Sequence, residues 1–130
     1  MKKILFLFSI MLTFCCMTCD NEEYVGELII KNDFNEPIYY YEKFSKGEVS
    51  LDDVSKESFD YQILASGEEK KSLLNDYLFN DNAKVYVYFF KKSVMENYSW
   101  QQIKDDKLYD RYSYTLEELK AIQWQITYND

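Results

Sequence analysis

The most informative absence in this chain of 130 residues is histidine, which does not occur at all. Without an imidazole the protein lacks the commonest general base, the Ser–His and Cys–His nucleophile pairs, and the commonest ligand of zinc and iron. Glycine is nearly as scarce. Gly26, Gly47 and Gly67 are too far apart to build a P-loop or a GxGxxG turn. The sequence therefore disfavours most hydrolases, nucleotide-binding enzymes and zinc enzymes.

Cysteine is confined to the start of the chain, at Cys15, Cys16 and Cys19. Exported domains commonly use disulfides, so a domain that follows Cys19 must be held together by its core alone. A single proline and three glycines also argue against a disordered or collagen-like chain. The length allows one compact domain.

The first residues have the pattern of a signal peptide. Lys2 and Lys3 form a basic segment, and the apolar run Ile4–Phe14 is interrupted only by Ser9 and Thr13. A helix needs about 20 apolar residues to cross a bilayer, so this run is too short for a stable anchor. We therefore predict a cleavable lipoprotein signal peptide over residues 1–18.

Cys19 stands where lipoprotein processing places its acylated cysteine. Its thiol would carry a diacylglycerol, and its amine, freed by cleavage, a further acyl chain such as palmitate. Each buried methylene contributes about 0.8 kcal/mol, so several chains hold a domain firmly at a membrane. The preceding Cys16-Met17-Thr18 departs from the usual Leu-Ala-Gly pattern, and Thr18 is larger than preferred. Cys15 and Cys16 fit less well, because bulkier residues would then occupy the cleavage site.

Residues 19–26 are predicted to be an acidic tether, followed by a single β-rich domain over residues 27–130. Asp20, Glu22 and Glu23 resemble the acidic run that directs Bacteroidota lipoproteins to the cell surface, so we expect a lipid-anchored position on the outer membrane. The alternative is a solvated tether, which any lipoprotein needs. Loss of two lysines with the leader leaves 13 basic and 23 acidic residues, a net charge of −10. This charge disfavours nucleic acid as a partner.

The remaining pattern predicts a mainly β fold, a small antiparallel β-sandwich-like domain. The segments 27–31 and 38–41 flank an Asn/Asp/Pro cluster, which is typical of a hairpin. Residues 45–57 read as a loop with a helical turn capped by Ser50, and residues 59–64 as a third strand. The run 85–90 is apolar on both faces, which predicts a central strand covered on both sides.

Two short helices are expected near the C-terminus, because Ser99 and Thr115 each stand three residues before a Gln or Glu in a capping-box pattern. The first should bury Trp100 and Ile103. The second should bury three apolar side chains, those of Leu116, Leu119 and Ile122. The alternation of residues 124–128 predicts a final strand.

This tail resembles the end of small Bacteroidota surface lipoproteins of uncharacterised function. The resemblance rests on the segments 98–103, 112–119 and 124–128, together with the leader. Members commonly end in Tyr-Pro, whereas this chain ends in Tyr128-Asn129-Asp130. The resemblance implies a location at the cell surface and a β-rich domain. It carries over no catalytic residue.

The chemistry that remains favours binding over catalysis. Adjacent carboxylate pairs point in different directions and do not form the facing pair that a glycosidase needs. We predict no catalytic residue, no metal ligand and no cofactor. Tyr39, Tyr40 and Tyr41 are candidates to stack against a glycan or peptide, with cross-strand packing as the alternative.

The leading hypothesis is a non-enzymatic surface lipoprotein with a binding domain, whose protein or glycan ligand is unknown. The alternatives are a structural or accessory subunit of an envelope assembly, and a small carbohydrate-active enzyme.

Overall fold

A computed structural model describes residues 23–60 and 62–129, and within them the chain forms two packed β-sheets. The strands are β1 (Tyr24–Asn32), β2 (Ile38–Ser45), β3 (Ile63–Leu64), β4 (Glu69–Asn75), β5 (Lys84–Lys91), β6 (Asp110–Tyr114) and β7 (Gln125–Tyr128). The α-helices are α1 (Lys92–Asn97), α2 (Trp100–Asp105) and α3 (Leu116–Ala121), and two 3₁₀ helices span Lys56–Phe59 and Asp76–Asn82.

The two sheets have the orders β4-β1-β7 and β3-β2-β5-β6. All neighbouring strands are antiparallel except β1 and β7, which run parallel. The predicted mainly β, sandwich-like architecture is thus confirmed.

Strand β5 is covered on both faces, as its sequence predicts. Val85, Val87 and Phe89 belong to the core between the sheets, and every residue from 85 to 90 is at most 5% exposed. The alternate residues Tyr86, Tyr88 and Phe90 pack under an outer layer, which consists of the loop 46–55 and helices α1 and α2. Burial of each such side chain contributes roughly 1.5–3 kcal/mol, so β5 joins two cores into one structure.

The predicted hairpin between the first two strands is wrong. Strand β1 pairs with β4 and β7, whereas β2 pairs with β3 and β5, so the intervening turn carries the chain from one sheet to the other. The side chain of Asn32 stabilises the turn that connects the two sheets. This side chain is fully buried, its Nδ2 donates to the carbonyls of Glu36 and Leu64 at 2.9 and 3.1 Å, and its Oδ1 accepts from the Phe34 amide. A cluster of turn-forming residues predicts a turn, but it does not predict whether the two strands that the turn joins pair with each other.

Of the described residues in the predicted strand 59–64, only Ile63–Leu64 form a strand. Phe59 ends a 3₁₀ helix instead, because its ring is fully buried against Trp100 and Phe90 in the outer layer. Ser50 does cap a single hydrogen-bonded turn within the loop: its Oγ accepts from the Asp52 amide, and the Val54 amide donates to the Leu51 carbonyl at 3.2 Å. The 3₁₀ helix begins later, at Lys56.

Both predicted capping boxes are confirmed. The side chains of Ser99 and Thr115 each accept from the amide three residues on, and Gln102 and Glu118 reach back to the cap amides. Ile103 and Leu119 are fully buried, Trp100 and Leu116 partly so. The prediction that Ile122 is buried is wrong, since its side chain is 36% exposed at the end of α3. Helix α1 was not predicted; it extends the chain directly beyond β5.

The last strand begins at Gln125, one residue later than predicted, because of the turn that ends helix α3. Gln123 and Trp124 have positive φ angles of 56° and 65°, which redirect the chain into β7 at Gln125. The two inward residues, Ile126 and Tyr128, are buried as the alternation predicts.

Strand β1 begins at Tyr24, three residues before the predicted boundary at residue 27. The predicted signal peptide and Cys19 lie outside the described residues. Within residues 23–60 and 62–129, no helix has the length and apolar character needed to cross a bilayer.

Candidate functional site

An open cleft of about 350 Å³ lies on the outer layer, between the loop 46–55 and the edge formed by α2 and β6. Its floor includes the ring of Tyr88, which is 1% exposed. The lining residues are Glu48, Val49, Ser50, Leu51, Asp52, Tyr88, Lys104, Tyr109 and Arg111.

The loop forms one wall of the cleft because it alternates in character. Val49 and Leu51 point inward and are 7% and 6% exposed. The backbone between them is fixed from below, since the Tyr88 hydroxyl donates to the Val49 carbonyl at 2.8 Å. Further along, Trp100 Nε1 donates to the Val54 carbonyl at 2.7 Å. The alternate residues Glu48, Ser50 and Asp52 line the cleft.

Two ion pairs cross from the loop to the opposite wall. Arg111 on β6 contacts Glu48 at 2.9 Å, and Lys104 on α2 contacts Asp52 at 3.2 Å. The carboxylate side chains are 79% and 81% exposed, whereas those of Arg111 and Lys104 are only 39% and 16% exposed. Lys104 is therefore largely buried and Arg111 is partly exposed, and the carboxylates are the more accessible partners.

Three ionisable groups of the cleft, Asp52, Arg111 and Tyr88, have pKa values that move further from neutral pH. The hydrogen bond from Ser50, followed by the contact with Lys104, holds the pKa of Asp52 below its usual value. The hydrogen bond to Glu48 raises the pKa of Arg111. Burial raises the pKa of Tyr88, against the opposing effect of Arg111. At neutral pH the cleft thus contains fixed charges and a protonated phenol.

This arrangement offers recognition chemistry. A general acid or base works best when its pKa lies near the working pH, and these shifts move Asp52 and Tyr88 in the wrong directions. The guanidinium, the ammonium and the carboxylates can instead form hydrogen bonds with a polar ligand, and the Tyr109 ring provides an aromatic face.

The three candidate stacking residues, Tyr39, Tyr40 and Tyr41, do not form one surface. They are consecutive in β2, so they alternate between its faces. Tyr40 is 5% exposed in the core between the sheets. Tyr39 and Tyr41 are half-buried against the outer layer, where Tyr41 contacts the rings of Phe59 and Tyr88. The tyrosines that line the cleft are instead Tyr88 and Tyr109.

The sequence reasoning did not identify the cleft residues. A usable signal was present, because Arg111 is the single arginine of the chain and lies among tyrosines. The alternation of residues 48–52 was a second signal, since it indicates an extended segment packed by one face. The pairing of Arg111 with Glu48 spans 63 residues, so no local sequence pattern predicts it.

The structure places no metal centre among these groups. In the part of the chain that it describes, no three Asp, Glu, Cys or His side chains are close enough together to hold a metal ion. Asp81, which lies in the polar 3₁₀ segment 76–82, forms an ion pair with Lys46.

Comparison with known proteins gives no match to a family model, to a curated protein or to a solved structure. The likeness to Bacteroidota lipoproteins accordingly stays a prediction that rests on the sequence segments named above.

Proposed function

We propose that this protein is a lipid-anchored lipoprotein of the cell surface whose β-sandwich-like domain is a non-enzymatic binding module. The cleft between the loop 46–55 and Arg111 is its ligand site. The anchor is Cys19, and membrane association is through its acyl chains.

The observation that carries the proposed site is the pair of ion pairs across the cleft. Arg111 and Lys104 are held in position by β6 and α2, while their partners Glu48 and Asp52 are about four-fifths exposed. A ligand that carries hydroxyl, amide or carboxylate groups can therefore share or replace these partners without disturbing the core. A small number of precisely placed polar groups fixes the orientation of a ligand in a pocket and provides specificity.

A glycan or a peptide segment fits this chemistry best. Both carry donors and acceptors for the charged walls, and both can lie against the face of Tyr109. The charge of −10 expected for the mature chain argues against nucleic acid, because its phosphates would be repelled.

The anchor is tested by Cys19→Ser in the full precursor. We expect the variant to lose metabolic labelling with a radioactive fatty acid and to leave the membrane fraction, while the parent chain retains both. Persistent labelling would move the anchor to Cys15 or Cys16.

The ligand site is tested in two ways. Binding of the protein to a glycan array is measured, and the immobilised protein is used to capture peptides from the envelope fraction. We expect Arg111→Gln to weaken binding of the captured ligand at least tenfold. Lys120→Gln is the matched control, because Lys120 also forms an ion pair, with Glu117 at 3.1 Å, but lies outside the cleft. Equal binding by both variants would contradict the proposed site.

The same capture separates the leading proposal from its alternative. Copurification from membranes with one partner at fixed stoichiometry, unaffected by Arg111→Gln, would favour an accessory subunit of an envelope assembly. If Tyr39→Ala or Tyr41→Ala abolishes glycan binding and Arg111→Gln does not, the ligand binds at the tyrosines of β2 and not in the cleft.

A further inference from the structure

Exposed apolar side chains concentrate at the end of the domain where the chain enters β1. Among the described residues, Tyr24, Leu73 and Tyr77 are 57%, 70% and 52% exposed. Tyr24 is the first residue of β1 and pairs with Asn75, whereas Leu73 pairs with Glu27. Tyr77 follows two residues after Asn75. We call Tyr24, Leu73 and Tyr77 the tether-end cluster.

The fold holds these side chains outward. Leu74 takes the inward position on β4 and is 2% exposed, so its neighbour Leu73 must face solvent. The Asp76 amide donates to the Glu23 carbonyl at 3.0 Å, which keeps the entering chain beside the segment that carries Tyr77. A single exposed apolar residue needs no explanation, but a group fixed at one end of a domain indicates an interaction surface.

We propose that the tether-end cluster rests on the lipid surface that holds the anchor, so that the domain stands on the membrane in one orientation. The inference rests on the proposed lipidation of Cys19. Cys19 precedes Tyr24 by five residues, and that length of extended chain spans at most about 17 Å. The headgroup layer is about 5–8 Å thick on each side of the bilayer, so the cluster lies within reach of it.

The chemistry of the cluster suits the boundary between headgroups and acyl chains. Tyrosine places its ring in the apolar part and its hydroxyl in the polar part of this layer, and a leucine can insert beside it. The nearby charges include Glu23, Glu27 and Asp76, and Lys71 lies 4.0 Å from Glu27. Attraction to anionic lipid is thus weak, and a zwitterionic surface is the expected partner.

The tether-end cluster and the ligand cleft belong to different layers of the domain. The cleft lies on the outer layer of the four-stranded sheet, whereas Tyr24 and Leu73 belong to the three-stranded sheet. The turn that follows Asn32 is at the far end of β1 and points away from the membrane.

Site-specific labelling tests the proposal, because the chain has no cysteine after Cys19. The acylated protein, purified from cells and reconstituted in phosphatidylcholine vesicles, carries a nitroxide on Tyr77→Cys or, as the matched control, on Asn35→Cys in the far turn. We expect the ratio of oxygen accessibility to accessibility for a water-soluble relaxant to be severalfold higher at position 77 than at position 35. Equal ratios in protein that floats with the vesicles would overturn the proposal.

A second comparison assigns the effect to the cluster. With the label at position 77, Tyr24→Ser combined with Leu73→Ser should lower the ratio toward that of position 35. Ile63→Ser combined with Tyr98→Ser should leave it unchanged, since these residues are 40% and 44% exposed but lie elsewhere. An equal response to both pairs would contradict the proposal. Near-ultraviolet circular dichroism checks folding, and Leu73→Ser alone replaces the pair if the native spectrum is lost.

Flotation distinguishes this inference from the proposed anchor. Protein that fails to float with the vesicles would contradict both the lipid anchor and the contact of the tether-end cluster with the membrane. Protein that floats while position 77 stays in water would agree with the anchor and refute only the contact of the cluster with the membrane.

Discussion

The indole of Trp124 lies directly against the backbone of Gly26. A Cβ atom built on Gly26 would be 2.5 Å from Cε2 of Trp124, far inside van der Waals contact. Trp124 itself has a positive φ of 65°, so the turn after α3 aims its ring back over β1. This contact joins the last strand to the first at the end where the chain enters the domain.

We predict that Gly26→Ala destabilises the protein by about 1–3 kcal/mol, because overpacking of a fixed aromatic ring forces neighbouring backbone to shift. Urea unfolding measures the change. Gly47→Ala is the control, since no atom lies within 4 Å of its added Cβ, and it should alter the free energy of unfolding little. Similar losses in both variants would refute the role of the Trp124 contact.

Asn32 should be the most sensitive polar position of the fold. Asn32→Ala leaves the carbonyls of Leu64 and Glu36 without its Nδ2 donor, and we expect a loss of about 2 kcal/mol or more. Asn32→Asp should cost about 3–5 kcal/mol, because it places an unpaired charge in a buried site. The exposed Asn35→Ala in the same turn provides the comparison. Near-native stability of Asn32→Asp in urea would contradict the assignment.

The cap of α3 gives a prediction with a conservative rescue. Thr115→Ala removes the acceptor for the Glu118 amide and should cost about 1 kcal/mol. Amide hydrogen exchange in α3 should accelerate accordingly. Thr115→Ser keeps the hydroxyl and should retain most of the stability, and an equal loss in both variants would show that the methyl group matters instead of the cap.

The carboxylate of Asp52 should titrate below its ordinary value of 3.8, because Ser50 and Lys104 both stabilise the charged form. Its contribution to stability is present above pH 3.8 and is lost as the pH falls through the lowered pKa. Carbon-detected NMR of the side chain measures this titration directly. We expect both Ser50→Ala and Lys104→Met to bring the pKa of Asp52 back toward 3.8. An unshifted pKa in the parent protein would show that neither contact forms in solution.

Several elements were predictable because their causes are local. The capping boxes at Ser99 and Thr115 involve atoms only three residues apart. The central position of β5 followed from a run of six apolar residues, which has no stable place on a surface. The helix–strand order at the C-terminus followed from these same patterns.

Other elements were not predictable, because their causes lie far away in the sequence. The ring of Phe59 packs against Trp100 and Phe90 instead of lying in a strand, and these partners are 41 and 31 residues away in the sequence. The tyrosines of β2 were proposed together, yet the side of each was decided by which sheet received β2. The cleft arose from pairings of the loop with β6 and α2 that span 63 and 52 residues, respectively.

The sequence by itself determined the signal-peptide pattern at the N-terminus, the scarcity of catalytic groups, the β-rich character of the domain and the positions of its helix caps. Each of these depends on composition or on neighbours within a few residues. The tertiary structure decided which strands share a sheet, that Arg111 and Glu48 meet across a cleft, and that Tyr24, Leu73 and Tyr77 share one end of the domain. These are long-range outcomes, fixed when burial of β5 on both faces brought distant segments together.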